Sequence, residues 1–144
     1  MFMSLFSVNW LAVAACVVIS MVSGMVWYNP RTFFTIWWKG IGKSDTQDPG
    51  AGGSMALTWS LTILSSAVQA AFIAIAVNIA IGATRGNPLL VGPATGFALW
   101  LGIVAPTNLV NKLFAGHGLT VWAIEAGNHM FNFILFGLVL GAWR

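Results

Sequence analysis

Charge is scarce in this chain. Its 144 residues include only six Lys and Arg and three Asp and Glu, so 6% are charged and 58% hydrophobic, whereas a soluble domain carries about 25% charged residues. Such a chain cannot cover itself with polar surface in water. Cysteine is nearly absent: Cys16 alone excludes an internal disulfide and a cysteine-cage metal centre. With only two histidines, His117 in a turn and His129 within an apolar stretch, haem or metal ligation has no evident second ligand, and no cofactor is expected. The cations stand singly and the net charge is +3, so there is no basic stripe to bind nucleic acid. Neither Cys16 nor any serine has an evident His base at matched depth, which argues against an intramembrane hydrolase and, more broadly, against an enzyme.

What is present is apolar length. Residues 1–30, 49–84 and 86–111 hold no charged side chain, and 113–143 hold only Glu125. About 20 apolar residues span a hydrocarbon layer of about 30 Å. The intervals predict an all-α integral membrane four-helix bundle, one domain over 1–144, with spans at about 8–28, 55–81, 89–113 and 120–142. The first run lacks a basic start and exceeds the apolar core of a signal peptide, so it reads as a retained helix. It ends in Trp27-Tyr28-Asn29-Pro30, aromatics followed by a helix-stopping proline, as at a membrane interface. The segment 30–39, running from Arg31 to Lys39 through Phe33, Phe34, Trp37 and Trp38, is too short to span and predicts a short interfacial helix. Gly40 to Gly53 reads as an exposed loop. Arg31, Lys39, Lys43 and Lys112 fall on one side of the bundle and Arg85 and Arg144 on the other, so both termini are expected on the side of the membrane away from the cytoplasm.

Helices in lipid associate through small residues and a few polar contacts. Stripes of this kind occur at Ala12, Cys16, Ser20 and Gly24, at Ser66, Ala70, Ala74 and Asn78, and as Gly-xxx-Gly pairs at Gly92/Gly96 and Gly137/Gly141. Trp10, Trp27, Trp37, Trp38 and Trp143 sit at predicted span ends and read as interface anchors, whereas Trp100 lies mid-span and should fill the core. At about 100° per residue, Asn128, His129 and Asn132 share one face with Glu125. On the third helix Thr107, Asn108 and Asn111 share another, just after Pro106, which frees a backbone carbonyl. Counted from the turn at His117, Asn108 and Glu125 lie at one depth. The sequence therefore predicts one intramembrane polar cluster of Thr107, Asn108, Asn111, Glu125, Asn128, His129 and Asn132 between helices three and four.

Two roles fit that cluster. Its amides and carboxylate can hold helices in register, as in a structural or accessory subunit of a homo-oligomer or of a larger membrane complex. Alternatively Glu125 and His129 can form a proton-titrating site in a small proton-linked transporter or channel.

The ordered set Val8-Asn9-Trp10, Trp27-Tyr28-Asn29-Pro30, Gly96-Phe-Ala-Leu-Trp100-Leu-Gly102 leading to Pro106, and Gly137-Leu-Val-Leu-Gly141-Ala-Trp143-Arg144 resembles a bacterial membrane-protein family known as domain of unknown function 1761. The resemblance covers nearly the whole chain. It implies a four-helix bacterial membrane protein and brings no activity with it. Gly127 and His129 suit the family's fourth helix, whereas Asn is more usual at the place of Glu125 and Tyr at that of Asn128.

Overall fold

The computed structural model describes residues 3, 6–48 and 53–144, and every regular element among them is helical. Four helices are long and apolar enough to cross a membrane: α1 (Trp10–Trp27), α3 (Met55–Thr84), α4 (Pro88–Phe114) and α5 (Gly118–Ala142). Between the first two lies the short α2 (Phe34–Gly40). Of the loop expected over Gly40 to Gly53, residues 49–52 lie outside the described residues.

The helix ends follow from local chemistry. Asn9 caps α1, its side chain accepting from the backbone N–H of Leu11 and Ala12, and its amide also reaches the carbonyl of Trp143 at 3.4 Å. Two of the motifs thus meet at the end of the bundle where α1 begins and α5 ends. Ser54 caps α3 and Asn87 caps α4, with Pro88 in the first helical position, where its missing N–H costs nothing. Arg85 takes the left-handed conformation at the end of α3 (φ 51°). That lets the chain reverse within the few residues between α3 and α4.

Inside α4 the predicted effect of Pro106 takes a specific form. Pro106 has no N–H for the carbonyl of Gly102, and its ring would collide with that carbonyl in a regular helix. The helix responds by widening into a π turn over Trp100–Val104, closed by the Ala105 N–H on the carbonyl of Trp100. Hydrophobic patterning carries no signal for a one-residue widening, so the sequence reading missed it.

Helices α4 and α5 approach closely because both Gly-xxx-Gly pairs face one another. A Cβ built on Gly92 would run into the Gly137 carbonyl, one on Gly137 into the Gly92 carbonyl, one on Gly96 into the Phe133 carbonyl and one on Gly141 into the Pro88 carbonyl. These glycines therefore close the bundle internally. The α1 stripe is buried at Ala12, Cys16, Ser20 and Ser23, but Gly24 meets nothing. On α3, Ser66, Ala70 and Ala74 are buried, while Asn78 donates outward to the carbonyl of Ser7. Val77, Ile73 and Phe136 fill the centre of the core.

Candidate functional site

The residues expected to form one cluster between α4 and α5 are distributed over two groups, and some belong to neither. In the first, Glu125 on the second turn of α5 accepts from Lys112 Nζ at 3.0 Å, from the Trp37 indole at 2.9 Å and from Asn108 Nδ2 at a longer 3.4 Å. Lys112 and Glu125 are largely shielded, with side chains 21% and 14% exposed. A carboxylate accepts through two oxygens, and here both are engaged by donors from α2 and α4. Aiming the Asn108 amide at the carboxylate leaves Asn108 Oδ1 buried without a partner among the described residues.

The second group lies deeper and joins α5 to α1 rather than to α4. Ser23 donates to Asn132 Oδ1 at 2.5 Å, Asn128 reaches the Ser23 hydroxyl and Asn132 reaches Asn128, each at 3.4 Å. Both asparagines are buried. Nearby, Ser20 donates to Ser66 at 2.9 Å and so ties α1 to α3. Such contacts are worth roughly 0.6–2 kcal/mol each between helices in lipid. The depth argument for Asn108 and Glu125 matches the observed contact. Asn128 departs from that pairing because its helical phase turns it toward α1.

Thr107 and Asn111 are exposed and take part in neither group. His129 is half-buried, and no hydrogen bond joins it to Glu125 among the described residues. The partner that sequence reasoning missed for Glu125 is Lys112. As a charge near a span end it reads as a topology signal, yet it stands one turn beyond Asn108 on the same helix face, a spacing that points to Glu125 as well.

Indole groups supply the remaining framework. Trp27 donates to the carbonyl of Ile124 at 2.9 Å and Trp100 to that of Ala126 at 2.8 Å. From α5, Trp122 donates back to the carbonyl of Ala105 on α4 at 3.0 Å. A helix carbonyl has a second lone pair free for such a donor. With Trp37 on Glu125, indoles from α1, α2 and α4 converge on Ile124–Ala126. Trp27 and Trp37 are thus interior braces, not only headgroup anchors. Nor does α2 lie free along a surface: Gly40 sits so close to Val121 that an added Cβ would meet its side chain, and Trp38 is buried, stacked on Phe34 at 5.4 Å between ring centroids.

The motif residues thus hold structural posts at both ends of the bundle. The family described as protein of unknown function (DUF1761) matches residues 11–141. The chain belongs to this family. No match is found among curated proteins or among solved structures. In this DUF1761 chain the motif glycines Gly96, Gly137 and Gly141 close α4 on α5, and Trp27 and Trp100 brace Ile124–Ala126. Among the described residues no group of three His, Cys, Asp or Glu side chains could hold a metal ion.

Proposed function

We propose that this DUF1761 protein is a non-enzymatic structural or accessory subunit, resident in a bacterial inner membrane and working in a homo-oligomer or a larger membrane complex. The observation that supports this reading is the occupation of Glu125. The only acidic side chain within a span is engaged by Lys112, Trp37 and Asn108, so it serves as a brace holding α2 and α4 on α5. A proton carrier at that position would have to break an ion pair and abandon two further donors in each cycle. In liposomes bearing a pH gradient, wild-type protein should dissipate the gradient no faster than empty vesicles, while Glu125→Gln lowers the melting temperature in detergent.

The second reading, a small proton-linked transporter or channel using Glu125 and His129, draws on His129, which is half-buried on the helical turn following Glu125. A wild-type flux that Glu125→Gln abolishes without loss of fold would establish it in place of the brace.

The bundle puts Arg31, Lys39, Lys43 and Lys112 at one end and Arg85 and Arg144 at the other. By the preference of cations for the cytoplasmic side, both termini face the periplasm. A cysteine added at either terminus should react with an impermeant thiol reagent applied to intact spheroplasts. Protection there, with labelling only after lysis, would reverse the orientation.

A further inference from the structure

Gln69 is a polar residue within a span whose side chain finds no partner among the described residues. It stands at the centre of α3 (Met55–Thr84), hence near the middle of any bilayer the helix crosses, and its amide makes no hydrogen bond to the described residues. It lines an apolar groove of about 460 Å³ between α3 and α4, together with Phe72, Ala76, Leu99 and Ile103. An unpaired amide in hydrocarbon costs several kcal/mol, and lipid tails offer it neither donor nor acceptor.

The residues around Gln69 are spaced for a helix partner. Thr62, Ser65, Gln69, Phe72, Ala76 and Ile79 alternate steps of three and four, the 3.5-residue period of a left-handed helix pair. None of the six is buried within the chain, and Phe72 is 68% exposed. The hydroxyl and small side chains among them allow close approach, as helix interfaces in lipid require. A single polar residue at a central seam position is also a known means of fixing register.

We propose that this face of α3 binds a second copy of the same chain, with Gln69 bonded reciprocally to Gln69 of that copy. An amide carries both donor and acceptor, so two of them satisfy each other. Two copies inserted in the same direction and related by a two-fold axis along the membrane normal place identical residues at identical depth. Gln69 then meets its own counterpart without any further coincidence. A foreign helix would need a polar residue of its own at the midplane. The inference deepens the subunit reading above by naming the partner, and rests on it only to that extent.

The test is association in liposomes, measured by energy transfer between labelled full-length chains. Wild type should dimerise. Gln69→Leu should weaken dimerisation roughly 5- to 30-fold, the equivalent of one interhelical amide contact in model helices, while Gln69→Asn retains most of it. Because the amide makes no bond to the described residues, the helicity and melting temperature of monomeric Gln69→Leu should match wild type. In a Cys16→Ala background, Ser65→Cys and Ala76→Cys should form intermolecular disulfides in membranes. Leu64→Cys, exposed but off the seam, should not. Monomeric wild type, undiminished dimerisation of Gln69→Leu, or equal cross-linking of Leu64→Cys would each overturn the proposal. None of them would touch the Glu125 brace, whose test uses stability and flux, and copurification of a different membrane protein with monomeric wild type would leave the accessory role standing while removing the self-association.

Discussion

Gly137→Leu and Gly92→Leu should each prevent the chain from forming a stable bundle, and the corresponding alanine variants should rank with Gly96→Ala as the most destabilising single-methyl additions in the protein. The cause is what a new Cβ would meet. At most helix positions an added methyl finds a side chain that can rotate away, but at Gly92 and Gly137 it finds the other helix's carbonyl. Backbone cannot change rotamer, so the helices must separate. Separation would pull the Trp100 indole from the carbonyl of Ala126 and the Trp122 indole from that of Ala105, spreading the damage along the seam. Overpacking in a well-packed core costs about 1–3 kcal/mol and occasionally more. We expect Gly92→Ala and Gly137→Ala at or above about 3 kcal/mol. Gly24 and Gly82 are the internal controls. A Cβ there meets nothing within 4 Å, so Gly24→Ala and Gly82→Ala should be neutral, or more stable by about 0.5–1 kcal/mol through the restriction of the unfolded backbone. Thermal or denaturant unfolding in mild detergent resolves the two classes. Equal losses for Gly137→Ala and Gly24→Ala would mean that α4 and α5 do not meet at these glycines.

The spans were legible because their signal is additive. Twenty apolar residues say "membrane" whichever of them faces protein, and the break points at Pro30, Asn87 and His117 carry turn chemistry of their own. The glycine pairs were legible as packing residues, though nothing in their spacing said whether they would face each other or a second chain. The polar site was legible in part. Depth counting from a known turn is reliable over two helical turns, which is why Asn108 and Glu125 meet. Azimuth is less so, because a shared face about 100° wide spans several neighbours: Glu125 within it touches α2 and α4, while Asn128 at one edge, and Asn132 deeper on the same face, join α1. The role of Trp37 was not legible, since aromatics at a span end look the same whether they anchor in headgroups or turn inward to a carboxylate. Nor was Gln69, a single amide in an apolar run, whose isolation shows only when the contacts of its neighbours are known.

Breaking the Lys112–Glu125 pair from its two sides should give unequal losses. Removing one partner of a shielded ion pair costs about 3–5 kcal/mol when the remaining charge is stranded. The two residues differ in whether stranding can be escaped. Lys112 stands in the last turn of α4, with a long stem that can carry its ammonium toward headgroups and with helix carbonyls nearby that favour a cation. Glu125 is short and held on the second turn of α5 beneath Trp37, and it has no such exit. Lys112→Met should therefore cost on the order of 3 kcal/mol. Glu125→Gln keeps an acceptor for Trp37 and lets Lys112 relocate, so it should cost less than half as much. The double variant tests the interaction itself. With the ammonium gone, the neutral amide is the better occupant of the site, so Glu125→Gln in the Lys112→Met background should restore stability instead of lowering it further. A coupling energy of about 2 kcal/mol or more in the double-mutant cycle is expected, well beyond the roughly 0.3–0.5 kcal/mol within which independent sites add. Strict additivity would show that the pair seen at 3.0 Å contributes nothing in the membrane, and the brace assigned to Glu125 would then fall to Trp37 and Asn108 alone.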